Sequence, residues 1–453
     1  MYSTLRSGNS PQPCRRCRFP GIGKRLPHAL PRWQYGPRIV HRSGQHRSTQ
    51  RGSALTVEAP TAPPRSGLGR GTALTLAVAG ALTVANIYFP QPLLDAIASG
   101  LGVSGSAAGL VATAAQIGYA LGISLVVPLA DVARLRRLTT ALLLLTTAGL
   151  LVAAAAPNLV TLTLATVALS TTTVIPQVLM PTAASMAGPA HSGRAVGMIG
   201  IGLTLGSTLS RTLSGAVVEL SGDWRTAYLV SAALTGALVL VLPRLLPEHG
   251  AGDRTVPYRK LIGSLPKLLL AHAELRLSAF LGATVFAAFS AFWATLAFHL
   301  AGPAFGKGVA WAGLFGLFSL PAALLSYSAG RLSDQRGPLY VNTLALACVS
   351  AAFLLLGTLG GGSMAALVIG SNLLVYGGSC WQIANQVRIF RLDERIRARL
   401  NTLFMLASFA GGAVGSLTGT ALYGTYGWSG MILGCGGFLV LAAGGLVRGR
   451  RIG

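Results

Sequence analysis

Long apolar runs separated by short polar segments make up most of the chain from residue 72 onwards. A run of about 20 apolar residues is long enough to cross a bilayer as one helix. Six such runs precede a polar, basic segment at residues 244–276, and six follow it. They lie at residues 72–97, 106–129, 138–156, 159–183, 195–218, 226–243, 277–300, 308–329, 339–358, 363–387, 400–422 and 429–447. The pattern predicts an all-α membrane protein with twelve transmembrane helices.

The two sets of six runs carry the same landmarks at a constant spacing. Asp131 and Asp334 end the second and eighth runs 203 residues apart, and basic residues follow each of them. Arg194 and Arg397, each followed by Ala, lie at the same offset of 203. We therefore expect two six-helix halves related by pseudo-two-fold symmetry. The expected segments are a tail at 1–70, halves at 71–245 and 277–448, and a cytoplasmic linker at 246–276.

Composition and charge support the membrane assignment and orient the helices. Only 10% of the residues are charged and the mean hydropathy is +0.60, whereas soluble proteins carry roughly 25% charged residues. Of the 36 Lys and Arg, twenty fall in the loops on the linker side of the predicted bundle. The opposite loops carry only Arg225 and Lys307. Because positive charge collects on the cytoplasmic side, both termini are expected to be cytoplasmic.

The first 70 residues are rich in Arg, Pro, Gly and Ser and lack apolar periodicity, so we expect them to be disordered. Three interpretations stay open: a mis-assigned translation start, with synthesis beginning near Val57; a basic tail that touches anionic lipid; or an organellar transit peptide. Cys14 and Cys17 form a lone Cys-x-x-Cys with no second pair, so neither a metal site nor a disulfide framework is expected.

The loop and helix motifs resemble those of the major facilitator superfamily over residues 72–447. Residues 330–337 look like that superfamily's motif between helices 8 and 9, with Gly330, Asp334 and Arg336 in place. The copy between helices 2 and 3 departs from it, since Val127 and Arg134 stand where Gly is usual.

A finer resemblance is to bacterial arabinose-efflux-like and drug:proton antiporter-like permeases. The matching stretches are residues 86–94, 116–122, 210–215, 223–225, 385–389 and 397–402. The resemblance implies a monomeric secondary transporter in the bacterial inner (plasma) membrane. It also implies that Asp131 and Asp334, with Arg136, Arg331 and Arg336, form a latch that holds one access state. Ordinary positive-inside charge is the simpler interpretation of these loops.

Arg211 is the most informative side chain because it lies inside the predicted fifth helix. A charge in hydrocarbon costs at least ~2.5–3.5 kcal/mol on insertion scales, so it is normally paired or faces water. Glu219 lies eight residues away, about 12 Å along a helix, which leaves Asp95 of helix 1 as the expected partner. The pair is expected to gate access or to bind an anionic or proton-linked group, and a static buried ion pair is the alternative.

Uncharged polar and aromatic residues mark a possible substrate cavity. In the superfamily, helices 1, 4, 7 and 10 line the central cavity. The corresponding candidates here are Tyr88, Gln91, Gln177, Trp293, Gln382, Asn385 and Gln386, with Phe286 and Phe289 nearby. Amide and aromatic side chains suit a neutral or amphipathic substrate. For each residue taken alone, hydrogen bonding or packing between helices is the alternative interpretation.

The sequence carries no catalytic, nucleic-acid-binding or ATP-binding signature. It has neither the GxxxxGK[ST] phosphate loop nor HExxH, so neither an enzyme nor a cofactor is expected. We expect proton-coupled efflux of a small organic molecule, with Asp95 as the first candidate proton carrier and His299 as the second. Proton-coupled uptake on the same fold, or a non-transporting membrane sensor, stays open.

Overall fold

The computed structural model describes residues 69–188, 191–248, 257–326, 328–393 and 396–449. The expected tail therefore lies outside the described residues, apart from Gly69 and Arg70. Within the described ranges the structure is helical and contains no strand. The first part of the chain forms α1 Arg70–Tyr88, a 3₁₀ turn Gln91–Leu93, α2 Leu94–Leu101, α3 Gly105–Ala108, α4 Leu110–Leu121, a π-helical turn Gly122–Val126, α5 Leu129–Val132, α6 Leu135–Ala154, α7 Leu159–Thr172, α8 Ile175–Ala187, α9 Ser192–Ser221 and α10 Trp224–Leu245.

The second part begins with a helix in the predicted linker and continues to residue 449. Its helices are α11 Tyr258–Ala271, α12 Ala273–Ala301, α13 Val309–Phe318, α14 Leu320–Leu325, α15 Ser328–Arg336, α16 Pro338–Thr358, α17 Met364–Phe390 and α18 Arg397–Gly449. The helix α18 bends at Gly427, whose φ of +64° is a conformation that Gly adopts without steric cost.

Ten segments of the described chain are long and apolar enough to cross a membrane. The bent helix α18 counts as one of them, although it contains both the eleventh and the twelfth predicted runs. The predicted fifth run corresponds to the 30-residue helix α9, which is not among the ten. The structure is thus an all-α membrane protein, while the number twelve and the orientation of the termini stay predictions.

Two proline-rich positions break helices where the sequence indicates. The first helix stops at Tyr88, and Pro90 precedes the short 3₁₀ turn before α2 begins. The fourth predicted run is divided into α7 and α8, and Pro176 lies in the first turn of α8. Proline has no N–H to donate, so it fits best in the first turn of a helix, and elsewhere it removes a backbone hydrogen bond. A glutamine follows the proline at each break, Gln91 after Pro90 and Gln177 after Pro176.

Small residues allow helices to touch backbone to backbone at equivalent places in the two halves. A Cβ on Gly202 or Gly206 of α9 would collide with the backbone of Ala77 or Ala81 of α1. In the same way, a Cβ on Gly411 or Gly415 of α18 would collide with the backbone of Ala283 or Ala287 of α12. Such contacts bring helix axes close in lipid, where packing drives association.

The apolar core is divided into clusters that lie within a half and clusters that join the halves. One cluster draws only on residues between Leu281 and Leu446, and another only on residues between Leu76 and Leu246. A third joins Tyr119 and Val174 of the first half to Leu400 and Phe409 of the second, with Leu265 of α11 buried among them. The linker helix is therefore packed into the cluster that joins the halves.

The close contact between α9 and α1 gives a direct test of the packing. We expect Gly206→Ala to lower the stability of the purified protein by about 1–3 kcal/mol, because the added methyl meets backbone that cannot move aside. The matched control is Gly197→Ala on the same helix, where a Cβ meets nothing within 4 Å. There the substitution should raise stability by about 1 kcal/mol. Equal melting temperatures for the two variants, measured by size-exclusion after heating, would contradict the backbone contact.

Candidate functional site

A cavity of about 370 Å³ lies among the helices of both halves. Its walls come from α1, α4, α8 and α9 of the first half and from α12, α14, α17 and α18 of the second. Aromatic side chains form much of the wall, and amides and hydroxyls provide most of its polar groups. The lining residues used below are Tyr88, Tyr119, Gln177, Ser207, Arg211, Phe286, Phe289, Trp293, Gln382, Gln386, Asn401 and Met405.

Among the described residues that line this cavity, Arg211 is the one with a charged side chain. Its side chain is buried, with 5% exposure. The guanidinium Nε donates to Oε1 of Gln91 at 2.8 Å, and Nη1 donates to the carbonyl oxygen of Ser207 at 2.6 Å. The guanidinium carbon lies 4.1 Å from the centroid of the Trp293 ring and 4.9 Å from that of Tyr88. Cation–π contacts and two hydrogen bonds therefore fix the group.

Hydrogen bonds on both sides of Arg211 fix the segment of α9 that carries it. The Ser214 hydroxyl, one turn further along α9, donates to the carbonyl of Phe89 at 2.9 Å, where α1 has ended. On the other side of α9, Thr212 donates to the carbonyl of Gly313 and accepts from the N–H of Leu317 in α13. The helix that carries Arg211 is thus joined to the first half through α1 and to the second half through α13.

The predicted ion pair between Asp95 and Arg211 does not form. Ion pairs join Arg134 to Glu248, Arg225 to Asp223 and Arg391 to Asp334, and Arg211 belongs to none of these. The 3₁₀ turn brings Gln91 to the guanidinium instead. Asp95 lies in the first turn of α2, four residues beyond Gln91, and is half-buried. The break at Pro90 therefore gives Arg211 a neutral partner.

Most of the cavity candidates lie where the sequence places them. Tyr88, Gln177, Trp293, Gln382 and Gln386 all line the cavity. The amide of Gln177 donates to the Tyr119 hydroxyl at 3.3 Å, and that of Gln386 donates to Oδ1 of Asn401 at 3.2 Å. Neighbouring helices thus orient two of the amides, one in each half.

Two of the predicted cavity residues lie behind the wall. Gln91 is buried and uses its carbonyl oxygen on Arg211. Asn385 is fully buried, and its amide donates to Asn342 at 3.1 Å and to the carbonyl of Trp381 at 2.9 Å. On a helix, Asn385 points about 60° to one side of Gln382 and about 100° from Gln386. That offset is enough to turn it from the cavity to α16.

Sequence reasoning missed several lining residues. Tyr119 of α4 lines the cavity, and its hydroxyl accepts a hydrogen bond from the Gln177 amide. Ser207 and Thr208 on α9, and Asn401 and Ser408 on α18, also contribute to the wall. The four-residue periodicity between Arg211 and Ser207 is a signal that could have identified the α9 residues.

The two loop motifs have different partners. Asp131 is half-buried and within electrostatic range of Arg399, which lies at the start of α18 in the other half. Asp334 is exposed and lies 3.8 Å from Arg391, in its own half. Arg336 donates to the Tyr340 hydroxyl at 3.0 Å, and Arg331 is exposed. The acidic residue of the first motif therefore interacts electrostatically with a residue of the other half, and that of the second pairs within its own half.

The remaining basic residues of the first loop hold the end of α10. Arg136 donates to the carbonyl of Leu246 at 2.6 Å, and Arg134 lies 3.7 Å from a carboxylate oxygen of Glu248. The N–H of Leu135 donates to the carbonyl of Glu248 at 2.9 Å. Arg136 thus fixes the first half's last helix to the loop and does not contact Asp131.

His299, the second candidate proton carrier, is not among the described residues that line the cavity. Its ring stacks on Trp428 with centroids 3.9 Å apart, and its Nε2 lies 3.0 Å from the carbonyl oxygen of Gly360. Within the described residues no group of three His, Cys, Asp or Glu side chains could hold a metal ion.

Comparisons with known proteins agree on one family. The Major Facilitator Superfamily profile matches residues 76–387. The uncharacterized transporter YgaY of Escherichia coli O157:H7 is 36% identical over 370 residues, which cover 82% of this chain and 93% of that protein. The probable transporter SCO4007 of Streptomyces coelicolor is 35% identical over 400 residues, covering 85% of this chain and 92% of that protein.

Solved structures share the fold at low sequence identity. The nucleoside transporter NupG has a TM-score of 0.69 at 17% identity and covers 83% of this chain and 99% of its own. The peptide transporter POT has a TM-score of 0.64 at 18% identity and covers 84% and 94% of the two chains. At these identities the likeness concerns the fold alone.

The different placements of Gln382 and Asn385 can be separated experimentally. Asn385→Ala leaves the buried amide of Asn342 without its partner, so we expect a loss of stability of about 1–3 kcal/mol. Gln382→Ala should leave stability nearly unchanged, because that side chain faces the cavity. Thermal unfolding of both purified variants measures the difference, and a larger loss for Gln382→Ala would reverse the assignment.

Proposed function

The chain belongs to the Major Facilitator Superfamily of membrane transporters, and we propose that it exports a small amphipathic organic molecule in exchange for protons. The proposed location is the bacterial inner membrane, with the protein acting as a monomer. Transport would proceed by alternating access, in which the cavity opens to one side of the membrane at a time.

The observation that carries the proposal is the composition of the cavity wall. Tyr88, Phe286, Phe289 and Trp293 offer apolar faces, while Gln177, Gln382, Gln386 and Asn401 offer hydrogen-bonding groups. A ligand pocket of about 300–1,000 Å³ with an apolar wall and few polar groups suits a small organic molecule.

Alternating access requires contacts that hold one state and can be released. We propose that α9 and α13 form one such releasable contact on one side of the cavity. They approach closely at Thr212 and Gly313. On the loop side we propose the electrostatic attraction between Asp131 and Arg399. Both join residues of one half to residues of the other, so relative motion of the halves would break them in turn.

The energy source that we propose is the proton gradient, because the sequence has no phosphate-binding loop. Asp95 is the proposed proton carrier. It lies one turn beyond Gln91, the residue that holds the Arg211 guanidinium, so a change in its charge would act on the same segment of the first half.

The direct test uses inside-out membrane vesicles with an acidified interior and a pH-sensitive dye. We expect a transported compound from a panel of antibiotics, dyes, sugars and organic acids to discharge the gradient with the intact protein. Arg211→Ala should abolish that response while expression stays near normal. Discharge that is equally strong in Arg211→Ala would remove Arg211 from the transport pathway. Uptake of a labelled compound into whole cells, driven by the gradient, would establish symport in its place.

The coupling role of Asp95 has its own test. Asp95→Asn should retain binding of the transported compound but lose the compound-induced release of protons, because an amide does not titrate. Glu219→Gln is the matched control, since Glu219 lies against Gly308 at the end of α9 and outside the cavity lining. Normal proton release by Asp95→Asn would exclude Asp95 as the proton carrier.

A further inference from the structure

The positive charge in the cavity wall indicates the charge of the substrate. The aromatic and amide residues do not indicate it. Arg211 is charged at every physiological pH, since an arginine guanidinium does not deprotonate in proteins. No Asp, Glu, Lys or His is among the described residues that line the cavity. The described wall of the cavity therefore presents one positive charge.

That charge is held in place without being neutralised by the protein. Gln91 and the carbonyl of Ser207 accept hydrogen bonds from two of the five guanidinium N–H groups, and both acceptors are neutral. The ion pairs Arg134–Glu248, Arg225–Asp223 and Arg391–Asp334 do not include Arg211. The remaining N–H groups are free to donate to an acceptor in the cavity that Arg211 lines.

The groups next to the guanidinium are suited to the apolar part of a ligand. Trp293 and Tyr88 lie against the guanidinium itself, and Phe289 lies beside Trp293 with ring centroids 6.1 Å apart. Phe286 stacks on Phe289 at 5.6 Å. A ligand whose acidic group reaches Arg211 would therefore place its apolar body along a continuous aromatic wall.

We propose, building on the transport function above, that the substrate is a small organic monoanion, namely a carboxylic acid with an apolar or aromatic body. A carboxylate matches the planar fork of an arginine in two parallel hydrogen bonds. One guanidinium without a second cation balances one negative charge and not two. The interior-negative potential of a cell also drives a monoanion outward, which agrees with export.

The test measures binding to the detergent-purified full chain without any gradient, so that a failure of proton coupling cannot affect it. The probes are three matched series with benzoyl, indole-3-acetyl and octanoyl bodies. Each series contains the carboxylate, the neutral amide and the corresponding primary amine. We expect at least one carboxylate to bind at least tenfold more tightly than its amide, with the amine weakest, by thermal stabilisation and calorimetric titration.

Two variants establish whether Arg211 is the source of that preference. Arg211→Gln should remove the preference for the carboxylate over the amide. Arg225→Gln is the matched control for that preference, since Arg225 pairs with Asp223 outside the cavity lining. Gln91→Glu keeps the guanidinium but places a carboxylate at the position of its 2.8 Å hydrogen bond. It should reduce carboxylate binding at least tenfold while raising thermal stability, so that lost binding cannot be attributed to misfolding.

Several results would overturn the proposal. Binding of an amide or amine as tight as that of its carboxylate is one of them. A carboxylate preference that survives both Arg211→Gln and Gln91→Glu is another. Failure of all nine compounds to bind would also exclude an apolar monocarboxylate as the substrate class. Carboxylate binding without proton release in vesicles would keep the present inference and remove only the proposed coupling.

Discussion

The structure around the cavity depends on one constraint, namely that a permanent positive charge is buried in an apolar bundle without a carboxylate beside it. Hydrocarbon penalises such a charge by at least ~2.5–3.5 kcal/mol, so the fold must provide other stabilisation. It does so through the neutral oxygens of Gln91 and Ser207 and the ring faces of Trp293 and Tyr88. These groups come from both halves, and the charge therefore links the halves at the point where the cavity lies.

Close helix packing makes that arrangement possible. The helix α9 contacts the backbone of α1 through Gly202 and Gly206, and it contacts α13 through Gly313 and Gly316. With larger side chains at these positions, α9 would stand further from both neighbours, and the guanidinium would no longer reach Gln91 and Trp293 together. The glycines are thus part of the site, because they set the distances over which polar groups meet.

The sequence predicted the class of fold and most of the cavity wall, because apolar runs and polar residues within them follow directly from the physics of the bilayer. It failed where a local break decides the geometry. Asp95 is the acidic residue that is left once distance excludes Glu219, whereas the 3₁₀ turn after Pro90 brings the uncharged Gln91 to the guanidinium. Asn385 was misplaced for a related reason, since three polar residues spanning about 100° of a helix need not all face one cavity.

The two loop motifs show how similar sequences acquire different roles through their surroundings. Asp334 matches the family pattern more fully, yet its partner Arg391 lies in the same half and both side chains are largely exposed. An exposed pair of this kind contributes little. Asp131 departs from the pattern, yet it is half-buried and its electrostatic partner Arg399 belongs to the other half. Only an attraction across the halves changes when they move apart. The first motif is therefore better placed than the second to favour one access state over the other.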